Sequence, residues 1–109
     1  MAKGRIPAPH YRRVFKEGRS TANRYLVLYY LPDDTVKMGV SVSARLGKAT
    51  KRNKVRRRVR EAFRLMGPSA TGGGQFVFIV RKKALEATYK EIEEAVRDLV
   101  KRMTAQNGA

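Results

Sequence analysis

A run of positive charge from Ser41 to Arg64 constrains this chain more than any other part of its sequence. A block of like charges usually repels itself into disorder, so this segment needs a second feature in order to fold. It holds a single acid, Glu61, against ten of the 25 Lys and Arg residues of the chain. The ten are Arg45, Lys48, Lys51, Arg52, Lys54, Arg56, Arg57, Arg58, Arg60 and Arg64.

The second feature is an apolar stripe at helical spacing. It consists of Val55, Val59, Ala62, Phe63 and Met66, which share one face of a helix. At about 100° per residue, the opposite face holds Asn53, Arg57, Arg60 and Arg64. Arg56 and Arg58 flank the stripe, where their alkyl stems can cover apolar surface. The pattern predicts a helix that docks on one side and presents guanidinium groups on the other.

A guanidinium group suits phosphate because it is planar, permanently charged and able to donate two hydrogen bonds to one anion. The net charge of +16 and the isoelectric point near 11.0 indicate a polyanionic partner, which could be RNA, DNA or an anionic membrane. A polyanion would relieve the repulsion between the arginines and release its own counterions. A solvated charged face is the plainer alternative, but the near absence of acids disfavours it.

The segment GVSVSARLGKATKRNKVRRRVREAF, residues 39–63, resembles the signature of the protein subunit of bacterial ribonuclease P. That family has an Arg-Asn-Arg motif at the head of a basic helix. Here the motif is Arg52-Asn53-Lys54. Lys54 keeps the positive charge of the second arginine but cannot donate two parallel hydrogen bonds to one phosphate, as a guanidinium group can. Ala44 replaces the first of two lysines that usually follow the Ser-Val-Ser element, and Arg45 keeps the second charge.

The resemblance implies that the chain binds the catalytic RNA of ribonuclease P and the 5′ leader of precursor tRNA. It would assist the RNA-catalysed, Mg²⁺-dependent removal of that leader, which gives the mature 5′ end of tRNA. The protein would be the non-catalytic subunit of an endoribonuclease, with no cofactor of its own and with Mg²⁺ bound by the RNA. We expect one protein per RNA, no membrane partner and a cytoplasmic location. The expected RNA-binding residues are Arg45, Lys48, Lys51, Arg52, Asn53, Lys54, Arg56, Arg57, Arg60 and Arg64.

The resemblance also implies a cleft for the leader, lined by Tyr11, Phe15 and Tyr29. An aromatic face stacks on any base, so such a cleft would accept a leader of any sequence. The spacing of four residues places Tyr11 and Phe15 one helical turn apart on the same side. The alternative is that these aromatic side chains are simply part of the core.

The remaining pattern predicts two more helices and three strands. The helices are expected at His10–Lys16, ending near Gly18, which can take the left-handed cap conformation, and at Ala84–Met103. The strands are expected at Arg24–Leu31, Val36–Val42 and Gln75–Arg81, the first two forming a hairpin around Pro32–Thr35. In the first strand, Leu26, Leu28 and Tyr30 share one face, opposite Tyr25, Val27 and Tyr29. In the second strand, Gly39 indicates a close backbone approach. Thr50 could cap the basic helix, which should end at Gly67–Pro68. Ser69–Gly74 reads as a surface loop.

This order of elements predicts an α+β protein, a two-layer α/β sandwich in which residues 1–109 form one domain. The resemblance implies a four-stranded sheet with about three helices and a left-handed β-α-β crossover. Such a crossover would be an exception to the right-handed rule.

Other classes of function fit the sequence less well. A chain with no cysteine, one histidine and no clustered acids lacks the groups that an autonomous metal-dependent nuclease needs. No apolar run is long enough to span a membrane as a helix, and the N-terminus has no signal-peptide pattern. A helix-turn-helix regulator would need a short turn where this chain has strand and loop. A ribosomal-type structural RNA-binding protein is the main alternative, since it would share the size and charge without the cleft.

Overall fold

The computed structural model describes residues 4–108, apart from the side chains of Ala8, Pro68, Ser69 and residues 106–108. Its strands are β1 (Gly4–Arg5), β2 (Arg19–Ala22), β3 (Leu26–Leu31), β4 (Val36–Ser41) and β5 (Gly74–Val80). Its α-helices are α1 (Tyr11–Glu17), α2 (Ala49–Met66), α3 (Pro68–Thr71) and α4 (Tyr89–Gly108). Short 3₁₀ turns occupy Ala8–His10, Ala44–Leu46 and Lys82–Glu86.

The strands form one sheet in the order β1-β4-β5-β3-β2. β4 and β5 are parallel neighbours joined through α2, which makes a β-α-β unit, and β3 runs antiparallel to β5. The α+β class is therefore confirmed. β2 to β5 supply the four strands that the resemblance implies, and the two-residue β1 adds a fifth at the edge of β4. The left-handed sense of the crossover stays a prediction.

The predicted hairpin between β3 and β4 is wrong, because β5 lies between these two strands and pairs with both. β5 is an apolar run buried on both faces, which suits a central position in a sheet. The turn at Pro32–Thr35 therefore spans the width of a strand rather than closing a tight hairpin. The polar strand β2, which pairs with β3, had no apolar alternation to reveal it.

The main core lies between the sheet and the layer of α2 and α4. As predicted, Leu26, Leu28 and Tyr30 point together into this core from β3. From β5, Phe76 and Phe78 meet Phe63 of α2, with ring centroids 4.9 Å and 5.8 Å away respectively. The apolar stripe predicted for α2 is thus the side that docks on the sheet.

The short helix α1 packs on the opposite face of the sheet. Val14 of α1, Ile6 and Val77 of β5 form a second, smaller buried cluster. Tyr11 lies directly over Gly39 of β4, where any Cβ atom would overlap the tyrosine ring. The close approach predicted at Gly39 is confirmed, and it brings α1 against β4.

Three local predictions need correction. Gly18 is extended rather than left-handed, and glycine is needed there because a Cβ atom would lie 2.6 Å from the carbonyl oxygens of Val14 and Tyr30. The segment expected as a loop at Ser69–Gly74 contains α3 and the start of β5, with the Tyr30 hydroxyl donating to Gly73 O at 2.9 Å.

The last helix begins later than predicted, at Tyr89, and continues past Met103 to Gly108. The reciprocal bonds between Thr88 and Glu91, 2.8 Å and 3.1 Å long, fix its start.

Candidate nucleic-acid interface

α2 carries most of the predicted RNA-binding residues, and its N-terminal end is tied to the loops around it. Lys48, not Thr50, is the residue that precedes the helix, and no side chain caps it. Instead, Arg52 Nε donates to the Gly47 carbonyl at 3.1 Å, and Lys51 forms an ion pair with Glu86. The Arg52 side chain therefore holds the loop in place, in addition to any contact with RNA.

The two flanks of α2 differ in what they contact. On one flank, Arg58 Nη1 donates to the Ala87 carbonyl at 3.0 Å, which binds α2 to the segment before α4. On the other flank, Arg56 and Arg60 are half-buried and face the edge of the sheet near β1. Arg58 is thus a structural link, whereas Arg56 and Arg60 form no salt bridge within the described residues.

An arginine-lined cavity of about 510 Å³ opens between this second flank and β1. Its lining residues are Arg5, Asn53, Arg56, Arg57, Arg60, Glu61 and Arg64. Glu61 accepts two hydrogen bonds from Arg64, 3.2 Å and 2.7 Å long, and these bonds hold the pKa of Glu61 below its usual value. The pair neutralises itself, so four guanidinium groups are left facing the cavity without a carboxylate.

Arg60 is the most perturbed of these groups. Its side chain is half-buried, and Nε is fully buried with no hydrogen-bond partner. Burial lowers the pKa of Arg60, the positive charges of Arg5 and Arg56 lower it further, and the Tyr11 hydroxyl acts in the opposite direction. The helical spacing places Arg60 opposite the apolar stripe, and the structure adds that its side chain is half-buried in the cavity that it shares with Arg5 of β1.

Four other residues predicted to bind RNA do not line this cavity: Arg45, Lys48, Lys51 and Lys54. Lys48 and Lys51 line a separate hollow of about 260 Å³. Arg45 is exposed in a 3₁₀ turn, and Lys54 is exposed on α2. In the cavity, Arg56 Nη1 donates to Asn53 Oδ1 at 2.9 Å, so the Asn53 side chain orients a neighbouring guanidinium group. The ten residues thus form a band along α2 and the loop before it, rather than one compact site.

The three predicted cleft aromatics are brought together on the other face of the sheet. Phe15 of α1 contacts Tyr29 of β3 edge to face, with centroids 4.9 Å apart, and Tyr11 follows at 6.2 Å from Phe15. Phe15 is 38% exposed, and both tyrosines are half-buried. The simple core alternative therefore does not describe Phe15, whose ring is open to solvent. We call Tyr11, Phe15 and Tyr29 the aromatic cleft.

Other basic residues near these surfaces were not predicted. Arg5 faces the arginine-lined cavity, and Lys37 of β4 lines a further hollow of about 490 Å³. That hollow, beside α1, also includes His10, Arg12, Arg13 and Lys16. Apart from their charge, nothing in the sequence marks these residues as part of a binding surface. They come together because the order of strands in the sheet places β1 and β4 beside the helices.

Between Gly4 and Gly108, no group of three or more His, Cys, Asp or Glu side chains is placed to hold a metal ion. In the same part of the chain, no helix is both long and apolar enough to cross a membrane.

A cationic helix and an aromatic cleft on a small α+β scaffold are typical of proteins that bind an RNA backbone and single-stranded bases. The model of the Ribonuclease P family matches residues 7–104. The chain therefore belongs to the ribonuclease P family as its protein component, part of a tRNA-processing endoribonuclease, which confirms the resemblance seen in residues 39–63.

Individual relatives agree with this assignment. The chain is 43% identical over 103 residues to the ribonuclease P protein component of Clostridioides difficile, covering 92% of this chain and 90% of the relative. A structure of the RNase P protein from Thermotoga maritima superposes with a TM-score of 0.80 at 33% identity, covering 90% of this chain and 96% of the other. A Staphylococcus aureus RNase P protein mutant, described as defective in mRNA degradation activity, superposes with a TM-score of 0.84 at 32% identity and covers 92% and 87% of the two chains.

The contact between Gly39 and Tyr11 gives a direct test of the cleft geometry. Gly39→Ala should destabilise the protein by about 1–3 kcal/mol, because the added methyl group overlaps the Tyr11 ring. The same substitution should cost much less in a Tyr11→Ala background, where the obstruction is gone. Urea unfolding of the four proteins in this double-mutant cycle measures the coupling. Additive effects would show that the Tyr11 ring does not lie over Gly39.

Proposed function

We propose that this protein binds the RNA subunit of ribonuclease P through the basic band on α2 and holds the 5′ leader of precursor tRNA in the aromatic cleft. The observation that supports this most is the position of β4. Its Gly39 lies under Tyr11 of the aromatic cleft, and its edge pairs with β1, whose Arg5 lines the arginine-lined cavity together with Arg60. The cationic surface and the cleft are therefore adjacent, so one protein can hold the catalytic RNA and the leader side by side.

Electrostatics favours this arrangement over binding to a small anion. Arginines that repel one another along α2 gain most from a ligand that carries regularly spaced phosphates and releases counterions. The docked side of α2 is fixed by Phe63 against β5, so the guanidinium groups are presented on a rigid element. The same positive surface repels Mg²⁺, which supports the proposal that the RNA binds the catalytic ions.

The cleft extends along the sheet beyond its three rings. Val27 of β3 and Ser41 of β4 are both paired in register with Ile79 of β5, and all three are half-buried. They lie on the same face as Tyr29 and form a floor beside α1. Val27 and Ile79 are apolar, and Ser41 offers a single rotatable hydroxyl rather than a fixed set of donors and acceptors, so leader bases would pack there with little sequence readout.

The proposed role in catalysis is to hold substrate and screen charge. Cleavage of the leader would use Mg²⁺ held by the RNA, while the protein reduces phosphate repulsion between the two RNAs and adds stacking to the leader. We also propose one protein per RNA and a cytoplasmic location. A ribosomal-type structural RNA-binding role would not require the aromatic cleft.

The basic band should bind phosphates. Arg57→Ala should weaken binding to ribonuclease P RNA and lower the log–log salt slope of binding by roughly one unit, as expected for one lost phosphate contact. Lys54→Arg restores the second arginine of the motif, so the affinity for ribonuclease P RNA should stay the same or increase. Arg24→Ala is a matched control, because it removes one exposed charge in the turn after β2, at the opposite edge of the sheet from β1 and the cavity. Equal slopes for Arg57→Ala and the control would contradict the assignment.

The aromatic cleft should discriminate precursor from mature tRNA, since only the precursor has a leader. Phe15→Ala should weaken binding of precursor tRNA to the reconstituted complex by about tenfold, the equivalent of about 1.4 kcal/mol. Binding of mature tRNA should remain nearly unchanged. Both affinities should be measured at one fixed salt concentration.

Leu65→Ala serves as the control for truncating an exposed apolar side chain, since Leu65 is 55% exposed on α2. Unfolding curves on both variants separate loss of fold from loss of contact. A folded Phe15→Ala variant that loses affinity equally for precursor and mature tRNA would show that Phe15 is not part of a leader site.

A further inference from the structure

The N-terminal strand β1 brings a basic side chain to the cavity on α2. β1 pairs with the edge of β4 so that Arg5 lies opposite Met38, whose side chain belongs to the core beneath α2. Side chains alternate along a strand, so Arg5 is directed to the α2 side of the sheet, whereas Ile6 is buried in the cluster on the α1 side. Arg5 therefore lines the cavity together with Arg60.

This arrangement brings like charges together without a counter-charge. In the described part of the chain, neither Arg5 nor Arg60 forms a salt bridge, and Arg60 Nε is buried without a hydrogen-bond partner. The one carboxylate in the cavity, Glu61, is engaged by Arg64. A buried donor without an acceptor is costly, and so is the repulsion between two neighbouring guanidinium groups. An oxyanion between Arg5 and Arg60 would offset the repulsion and accept hydrogen bonds from the guanidinium groups that face the cavity.

β1 itself is held weakly. It has two residues, and one further backbone bond follows it, from Ile6 N to Met38 O at 3.0 Å. Ile6 is the only described anchor of this segment in the core on the α1 side. A ligand that binds both Arg5 and Arg60 would therefore add a third attachment, between the edge strand and α2.

We propose that Arg5 and Arg60 form a composite phosphodiester site, in which one backbone phosphate of the RNA partner binds across β1 and α2 and fixes β1 to the sheet. The site rests on the proposed function and adds to it: Arg5, outside the basic helix, contacts the same RNA. Arg57 and Arg56 line the cavity on its outer side and suit neighbouring phosphates. Inorganic phosphate shares the chemistry of the ligand and should bind more weakly, because it lacks the neighbouring phosphates.

The first test compares salt slopes of binding to ribonuclease P RNA. Arg5→Ala should lower the slope by roughly one unit, as one phosphate contact is lost, whereas Arg24→Ala, at the opposite edge of the sheet, should leave it unchanged. The Arg5→Lys protein should show the same salt slope but a lower affinity, because lysine keeps the positive charge and cannot donate two hydrogen bonds to one phosphate. If Arg57→Ala lowers the slope and Arg5→Ala does not, this site is refuted while the proposed function stands. If neither variant lowers it, both are refuted.

The second test follows the site directly by NMR on the full chain. The Arg60 Nε–H signal should shift on titration with a single-stranded RNA oligonucleotide, and at higher concentration with inorganic phosphate. Exchange of the Ile6 amide hydrogen should slow in the RNA complex of the wild type but not in that of Arg5→Ala. A shift with inorganic phosphate alone would show an anion site that RNA does not use. No shift with either ligand, or equal Ile6 protection in both proteins, would overturn the proposal.

Discussion

The contact between Phe63 of α2 and Phe76 and Phe78 of β5 is the interaction on which the rest of this structure depends. α2 holds arginines that repel one another, and this repulsion opposes an isolated helix in water. Burial of its apolar stripe against the sheet supplies the stabilisation, at roughly 1.5–3 kcal/mol for each large apolar side chain that is fully buried. Because that stripe is fixed, the opposite side and one flank of the helix are fixed as well. The cationic surface is therefore a consequence of core packing on the other side of the helix.

The second face of the sheet depends on a smaller constraint, the absence of a side chain at Gly39. The Tyr11 ring occupies that space, and α1 consequently lies low enough for Phe15 to reach Tyr29. β4 thus takes part in both functional surfaces: its Gly39 positions the aromatic cleft, and its edge receives β1 and Arg5 beside α2. The proposed binding of a leader and a catalytic RNA by one small protein rests on this shared strand.

The sequence predicted those parts of the molecule that depend on local pattern. The helical spacing in α2, the alternation of Leu26, Leu28 and Tyr30, and the central apolar strand β5 all follow from periodicity. The sequence could not show that β5 lies between β3 and β4, because strand order depends on contacts between distant segments. The polar edge strands β1 and β2 have too few apolar side chains to show the alternation that predicts a strand. A helical wheel places Arg60 opposite the apolar stripe, but it does not include β1, whose Arg5 shares a cavity with Arg60 and half-buries that flank.

The account is tested most directly by reconstitution. The purified, RNA-free protein should be combined with a bacterial ribonuclease P RNA at low Mg²⁺, where repulsion between the two RNAs is poorly screened, and cleavage of precursor tRNA followed. The account predicts cleavage at the mature 5′ end with protein and RNA together, little cleavage with the RNA alone, and none with the protein alone. Precursor-tRNA cleavage by the protein after exhaustive removal of RNA, or a failure to assist the RNA at low Mg²⁺, would contradict it.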